Sequence, residues 1–207
     1  MSPSLIIRQH GPLLSLTLNR PQSRNALNRD LLEQLITLFR ELGDQPQEVD
    51  VVVLRGAGGH FCAGGDVREM SSMISAVRQG KDQLDSIHQL NALYGKLLSL
   101  AEALPQTLIT LIEGAVRGGG MGLACVSDYA IAHHESSFGL PEARLGLVPA
   151  QVAPSVIKRV GLSITKRLAL CGDQISAQEA LRVGLIHDLF ETEEQGAQLI
   201  EIMIDSI

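Results

Sequence analysis

The chain has 207 residues, of which 45 % are hydrophobic, 19 % charged and 3 % aromatic. That balance describes a folded domain with an aliphatic core and excludes an intrinsically disordered chain. A net charge of −6 excludes general nucleic-acid binding, which needs a basic face against phosphate.

Leu5–Arg8 and Leu13–Leu18 flank the turn pair Gly11-Pro12 and read as a hairpin. Asn28 is placed to cap a helix whose apolar residues, Leu31, Leu32, Leu35, Leu38, Phe39 and Leu42, recur at helical spacing. Val51–Leu54 suits a buried strand, followed by a glycine-dense loop, Gly56 to Gly65, that opens into a helix near Asp66. Leu84, Ile87, Leu90, Leu93, Leu97, Leu100 and Leu104 predict a long amphipathic helix that Pro105 stops. Leu108–Ile112 is the next strand, and Gly118-Gly119-Gly120 leads into a small-residue helix, Met121–Val126. Tyr129–Ala132 and Phe138 read as short extended segments. Helices are expected over 150–160, 163–170, 177–183 and 193–204, with no linker dividing the chain. Strand, glycines and helix thus occur twice, as VVVLRG…AGGD and LITLIEG…GGGM, which predicts an α/β fold with largely buried sheets.

The three cysteines, Cys62, Cys125 and Cys171, are odd in number with no CxxC pair, so neither a disulfide framework nor a zinc cluster is expected. No apolar run reaches the roughly 18 residues of a membrane span, and the N-terminus lacks a signal-peptide pattern. These features read as reduced thiols in a cytoplasmic protein that binds no membrane. His133-His134 has no carboxylate or cysteine at ligand spacing, so no metal is expected. His60 reads as an exposed loop residue, Cys62 as a packed one, and Asp128 as a turn anchor bonding backbone N–H groups.

Each glycine-rich turn presents unpaired N–H groups at the start of a helix, where the macrodipole favours negative charge. If both turns converge, their N–H groups can bind one developing oxyanion; the same glycines also serve tight turns and close helix packing. Rival motifs fail. Leu123 stands where a GxGxxG would place its last glycine, and no GxxxxGK[ST] or GxSxG occurs.

Four ordered motifs resemble those of the crotonase (enoyl-CoA hydratase/isomerase) superfamily. They are Asn19-Arg20-Pro21 with Asn25-Ala26-Leu27, Phe61-Cys62-Ala63-Gly64-Gly65-Asp66, Gly114 to Gly120, and Phe138-Gly139-Leu140-Pro141-Glu142. Their order and spacing agree from about residue 5 to 190. The resemblance implies a spiral of ββα units with flanking helices that binds an acyl-CoA thioester. Carried over, the Gly65 and Gly119 N–H groups hold the thioester oxygen and Glu142 is the catalytic acid/base. Ala63, Asp66 and Val67 match positions contacting the adenine and pantetheine portions. Ala26 falls in the first CoA-contacting turn, Leu140 in the catalytic segment, and Arg24 at a frequently basic position near the CoA phosphates; the other reading of Arg24 is a solvated surface residue. Coenzyme A belongs to the substrate, so no separate cofactor is implied.

One departure matters. Many family hydratases use a second glutamate two residues after the glycine triplet, and here Met121 follows the triplet and Gly122 occupies that position. A single glutamate can still hydrate an enoyl-CoA or shuttle a proton between two carbons. LPEARLGLVPAQVAP and GGGMGLACVSD resemble the branch acting on 3-methylglutaconyl-CoA and isohexenylglutaconyl-CoA, whose substrates carry an extra carboxylate. Arg117 is a candidate partner for it. Hydration of a conjugated, branched enoyl-CoA is therefore expected, the alternatives being a Δ3,Δ2-enoyl-CoA isomerase or a non-catalytic acyl-CoA-binding homologue. Residues 1–207 are expected to form one domain without the helical segment that usually follows in the family. That segment commonly helps build a homo-oligomer, a trimer or hexamer. Without it, Leu199, Ile200, Met203 and Ile204 are expected to form an apolar surface needing a partner.

Overall fold

The computed structural model describes residues 2–44, 48–79 and 84–206, with the side chains of Ile74, Val77, Arg78 and Leu84 outside the description. Strands β1 (Leu5–His10) and β2 (Leu13–Leu18) pair antiparallel, with Leu5 opposite Leu18. The Asn28 side chain accepts the Leu31 N–H at 3.2 Å and caps α1 (Arg29–Asp44) as expected. The chain continues through β3 (Val51–Gly56), α2 (Val67–Arg78), α3 (Leu84–Glu102) and β4 (Thr107–Ile112). Next come β5 (Ala115–Arg117), α4 (Gly119–Val126), β6 (Tyr129–His133) and β7 (Ser137–Gly139). The last elements are α5 (Ala153–Cys171), β8 (Gln174–Ser176), α6 (Ala177–Arg182), β9 (Asp188–Phe190) and α7 (Glu193–Ile204).

Six strands form one sheet in the order β1-β2-β3-β4-β6-β9, parallel except for the opening hairpin. A smaller sheet, β5-β7-β8, lies beside it, and the Cys62–Val116 bridge joins the first glycine loop to its edge. This is the α/β architecture that the alternating pattern predicts.

Successive β3 residues point to opposite sides. Val52 and Leu54 enter the larger core with Leu31, Leu35 and Phe39 of α1 and Leu97 of α3, while Val51 and Val53 enter a second core. A side chain buried this fully contributes about 1.5–3 kcal/mol. The second core corrects one expectation. Ile200 is buried against it, and Leu199, Met203 and Ile204 pack there too. This face of α7 is therefore covered by the chain's own sheet.

The run α5 breaks at Gly161, whose φ 77° and ψ 166° are not helical, so it consists of two helices meeting at a kink, as expected over 150–160 and 163–170. Other departures are local. Helix α4 starts at Gly119, two residues earlier than expected. A short 3-10 turn, Pro141–Leu145, and the three-residue strands β5, β8 and β9 were too short for periodicity to show.

Candidate active site

Residues 20–27 form a scaffold for the first glycine loop. The fully buried Asn25 amide accepts the Arg20 N–H at 2.9 Å and donates to the carbonyls of Ala57 (2.9 Å) and His60 (2.6 Å). Holding this turn requires left-handed backbone at both Arg24 (φ 50°) and Asn25 (φ 56°). That conformation is costly for ordinary residues and persists where surrounding bonds over-determine it. Backbone bonds then stitch the turn to the loop: Ala63 N–H to Arg24 O (2.9 Å), Leu27 N–H to Gly64 O (2.8 Å) and Asp66 N–H to Leu27 O (3.1 Å). Among the described residues, the Gly65 N–H has no backbone acceptor.

The second turn runs alongside. Arg117 N–H bonds Cys62 O at 3.0 Å, and Gly118 N–H bonds Gly139 O at 3.2 Å. Gly118 adopts φ 45° and ψ −113°, a conformation only glycine holds readily, and starts α4 so that Gly119 is its first residue. The Gly119 N–H likewise has no backbone acceptor among the described residues. The turns meet closely: a Cβ built on Gly64 would lie 3.4 Å from the Gly119 nitrogen.

Gly65, Gly119 and Glu142 line one cavity of about 370 Å³. Pro141 starts the turn carrying Glu142, and Leu147 N–H closes it onto Glu142 O at 2.9 Å. Glu142 Oε2 is buried and has no hydrogen-bond partner among the described residues. Burial pushes this carboxyl above the usual carboxylate range, with its own backbone N–H opposing weakly. The carboxylate also lies over the second turn, since a Cβ on Gly118 would approach Oε1 to 2.8 Å. Two unsatisfied main-chain donors and one carboxyl of raised pKa thus share one space. Such a set can stabilise an oxyanion while moving a proton next to it.

Ala63 and Val67 line the same cavity. Asp66 does not: its carboxylate pairs with Arg20 at 3.0 Å and accepts the Arg68 N–H at 3.1 Å. Ala26 and Leu140 are buried, outside the cavity lining, and Arg24 is exposed. Arg117 is also outside the lining. Its guanidinium donates to Ser137 O (2.6 Å), Ser137 Oγ (2.9 Å) and Gln174 Oε1 (2.8 Å), which ties β5 to β7 and β8. The idea that it meets a substrate carboxylate in the cavity is therefore corrected. Burial, with the charge of Arg24 second, lowers its pKa.

At the position of the missing second glutamate, a Cβ on Gly122 would come within 2.8 and 2.9 Å of the two Leu98 methyls. An aliphatic side chain occupies the space a carboxylate needs. Sequence reasoning missed Leu98, and it missed Tyr94, which lines the cavity beside both glycine turns. A tyrosine within an apolar helical stripe was the available signal. Desolvation keeps the Tyr94 phenol well above its ordinary pKa.

His60 is half-buried, and its Nδ1 accepts the Ala115 N–H at 3.2 Å, so it ties two loops and is not an exposed loop residue. Asp128 accepts the Leu108 N–H at 2.8 Å, so the backbone N–H it bonds lies in β4 and not in a turn of its own. Cys62 is buried, its thiol pushed up to about 12 by desolvation. Glu135 does bring a carboxylate within 4.8 Å of His133 and His134, contrary to expectation. Both His133 nitrogens are nevertheless engaged, with Glu191 O at 3.1 Å and the Glu135 N–H at 3.3 Å. Among the described residues, no helix is long and apolar enough to cross a membrane.

The enoyl-CoA hydratase/isomerase family model matches residues 8–204. A 2,3-dehydroadipyl-CoA hydratase of Escherichia coli (strain K12) is 35 % identical over 93 % of this chain and 71 % of its own. A short-chain-enoyl-CoA hydratase of Clostridium acetobutylicum is 33 % identical over 92 % of this chain and 70 % of its own. Among solved structures, Pseudomonas aeruginosa AtuE superposes with a TM-score of 0.91 at 43 % identity, covering 99 % of this chain and 76 % of that one. An enoyl-CoA hydratase/isomerase from Marinobacter aquaeolei gives 0.89 at 41 % identity, covering 98 % and 76 %.

Proposed function

Because the chain belongs to the enoyl-CoA hydratase/isomerase family, we propose that it adds water across the conjugated double bond of a branched enoyl-CoA, using Glu142 alone as acid and base. The observation that carries this reading is the shared cavity of Gly65, Gly119 and Glu142. The Glu142 carboxylate takes a proton from water, whose oxygen bonds to C3 as the C2–C3 π electrons move toward the thioester. The negative charge on the thioester oxygen is held by the two N–H groups, and Glu142 returns the proton to C2. Donors aimed at charge that develops only in the transition state lower the barrier. One carboxyl serving both carbons from one side gives syn addition.

The acyl chain is read as largely apolar. Val67, Met70, Met73, Leu90, Leu145 and Val148 line the cavity, and methionines adapt to irregular shapes. A methylglutaconyl- or isohexenylglutaconyl-type substrate is the finer proposal, supported by the segment through Pro141 and Pro149. With Arg117 engaged elsewhere, the extra carboxylate of such a substrate would meet Asn91, His88 or Gln151. Coenzyme A enters as part of the substrate and no separate cofactor takes part. A homo-oligomer, as the family resemblance implies, belongs to the proposal, with light scattering as its check.

A specific observation favours a second reading. Leu98 filling the space beside Gly122 leaves one carboxyl, which also suits an isomerase moving a double bond from position 3 to 2. A panel of enoyl-CoA thioesters, conjugated and unconjugated and including 3-methylglutaconyl-CoA, separates the readings by mass spectrometry together with the absorbance of the conjugated thioester. Gain of one water mass on a conjugated thioester supports hydration. Conversion of a 3-enoyl to a 2-enoyl thioester with no hydration of either replaces it with isomerisation. Binding without turnover of any thioester would make the protein an acyl-CoA-binding homologue.

A further inference from the structure

Tyr94 projects from α3 among aliphatic neighbours, and its hydroxyl donates to the Leu27 carbonyl at 2.7 Å. That carbonyl also accepts the Asp66 N–H, and the Leu27 N–H bonds Gly64 O, so the phenol is fastened to the bridge between Leu27 and Gly65. The same ring reaches both turns. A Cβ on Gly65 would lie 2.8 Å from the Tyr94 hydroxyl oxygen, and a Cβ on Gly119 would lie 3.1 Å from Tyr94 Cε1. One planar, hydrogen-bonded side chain therefore reaches both Gly65 and Gly119, which line the cavity.

We propose that Tyr94 is a positioning residue that sets the separation and aim of the Gly65 and Gly119 N–H donors. This rests on the reading that those donors hold a thioester oxygen. The alternative is a core tyrosine that merely satisfies its hydroxyl on a convenient carbonyl. That role costs stability when removed but leaves the chemical step alone. Positioning predicts otherwise, because small displacements of aimed donors reach the transition state more than the ground state. It also explains why residue 65 is glycine, since a methyl group there strikes the phenol oxygen.

The test is a cycle of wild type, Tyr94→Phe, Gly65→Ala and the double variant, assayed on the best thioester of the panel. Tyr94→Phe should lower kcat about 10- to 100-fold with KM within about twofold, the pattern of an interaction expressed in the transition state. Gly65→Ala should lose more. The double variant should regain about tenfold over Gly65→Ala, because loss of the phenol oxygen frees the space the methyl needs. Losses that simply multiply, or an unchanged kcat in Tyr94→Phe, would overturn the proposal. Should Gly65→Ala fail to fold, Tyr94→Leu decides instead, with a kcat below that of Tyr94→Phe expected and an equal or higher one contrary. If wild type turns over no thioester, the functional reading and this one fall together; wild-type turnover with an indifferent Tyr94→Phe removes only the role of Tyr94.

Discussion

Gly118 and Gly122 stand four residues apart at the start of α4, and each yields the room of a Cβ to a neighbour. At Gly118 the neighbour is the carboxylate of Glu142, 2.8 Å from where the Cβ would be; at Gly122 it is the pair of Leu98 methyls, at 2.8 and 2.9 Å. The same vacancy thus admits an acid in one place and a hydrocarbon in the other. The difference shows that the single carboxyl is built into the packing: Leu98 is 5 % exposed and part of the main core, so no second acid fits without moving it.

Breaking the polar member should have the largest effect. Glu142→Gln should lower kcat by about 10²–10⁴, read in the thioester assay. The same variant carries a stability signature. The folded pKa of Glu142 is raised, so the native state binds its proton more tightly than the unfolded chain does. This contribution is fully present below the unfolded pKa of about 4.3 and is lost as pH rises through the folded value. Thermal unfolding at pH 4 and pH 8 should therefore show Glu142→Gln gaining on wild type at the higher pH; no difference between the two pH values would contradict the desolvated carboxyl.

Gly118→Ala attacks the same member from beneath. A methyl there meets Oε1 and sits on a backbone of φ 45°, so kcat should fall about 100-fold and stability by about 1 kcal/mol or more. Gly122→Ala sharpens the contrast. Its methyl meets Leu98 most closely, so denaturant unfolding should show a loss of about 1–3 kcal/mol from overpacking with kcat largely kept. Adding Leu98→Ala should return part of that loss, which a double-variant cycle measures. The smallest effect is expected at Arg117, held by Ser137 and Gln174 away from the cavity. Arg117→Ala should leave the KM for a carboxylated thioester within about twofold, and a rise beyond tenfold would reopen its role.

Much of this was legible in the chain. The hairpin, the Asn28 cap and the 193–204 helix follow from local periodicity and capping chemistry, and the glycine motifs located both turns. The three-residue strands β5, β8 and β9 were not legible, because three residues carry no period. Leu98 and Tyr94 were not singled out, since their distinction lies in which residue of α4 or of the first loop each touches. The exposed face expected on α7 was a misreading of another kind: β3 and β4 are apolar on both sides, and the second side needed a cover.

The most direct measurement is a crystal structure with a non-reactive acyl-CoA thioester bound. The account predicts the thioester oxygen within about 2.7–3.1 Å of the Gly65 and Gly119 nitrogens, with the Glu142 carboxylate facing C2 and C3. A thioester seated with its carbonyl away from either nitrogen, or with Glu142 turned from the acyl carbons, would contradict it.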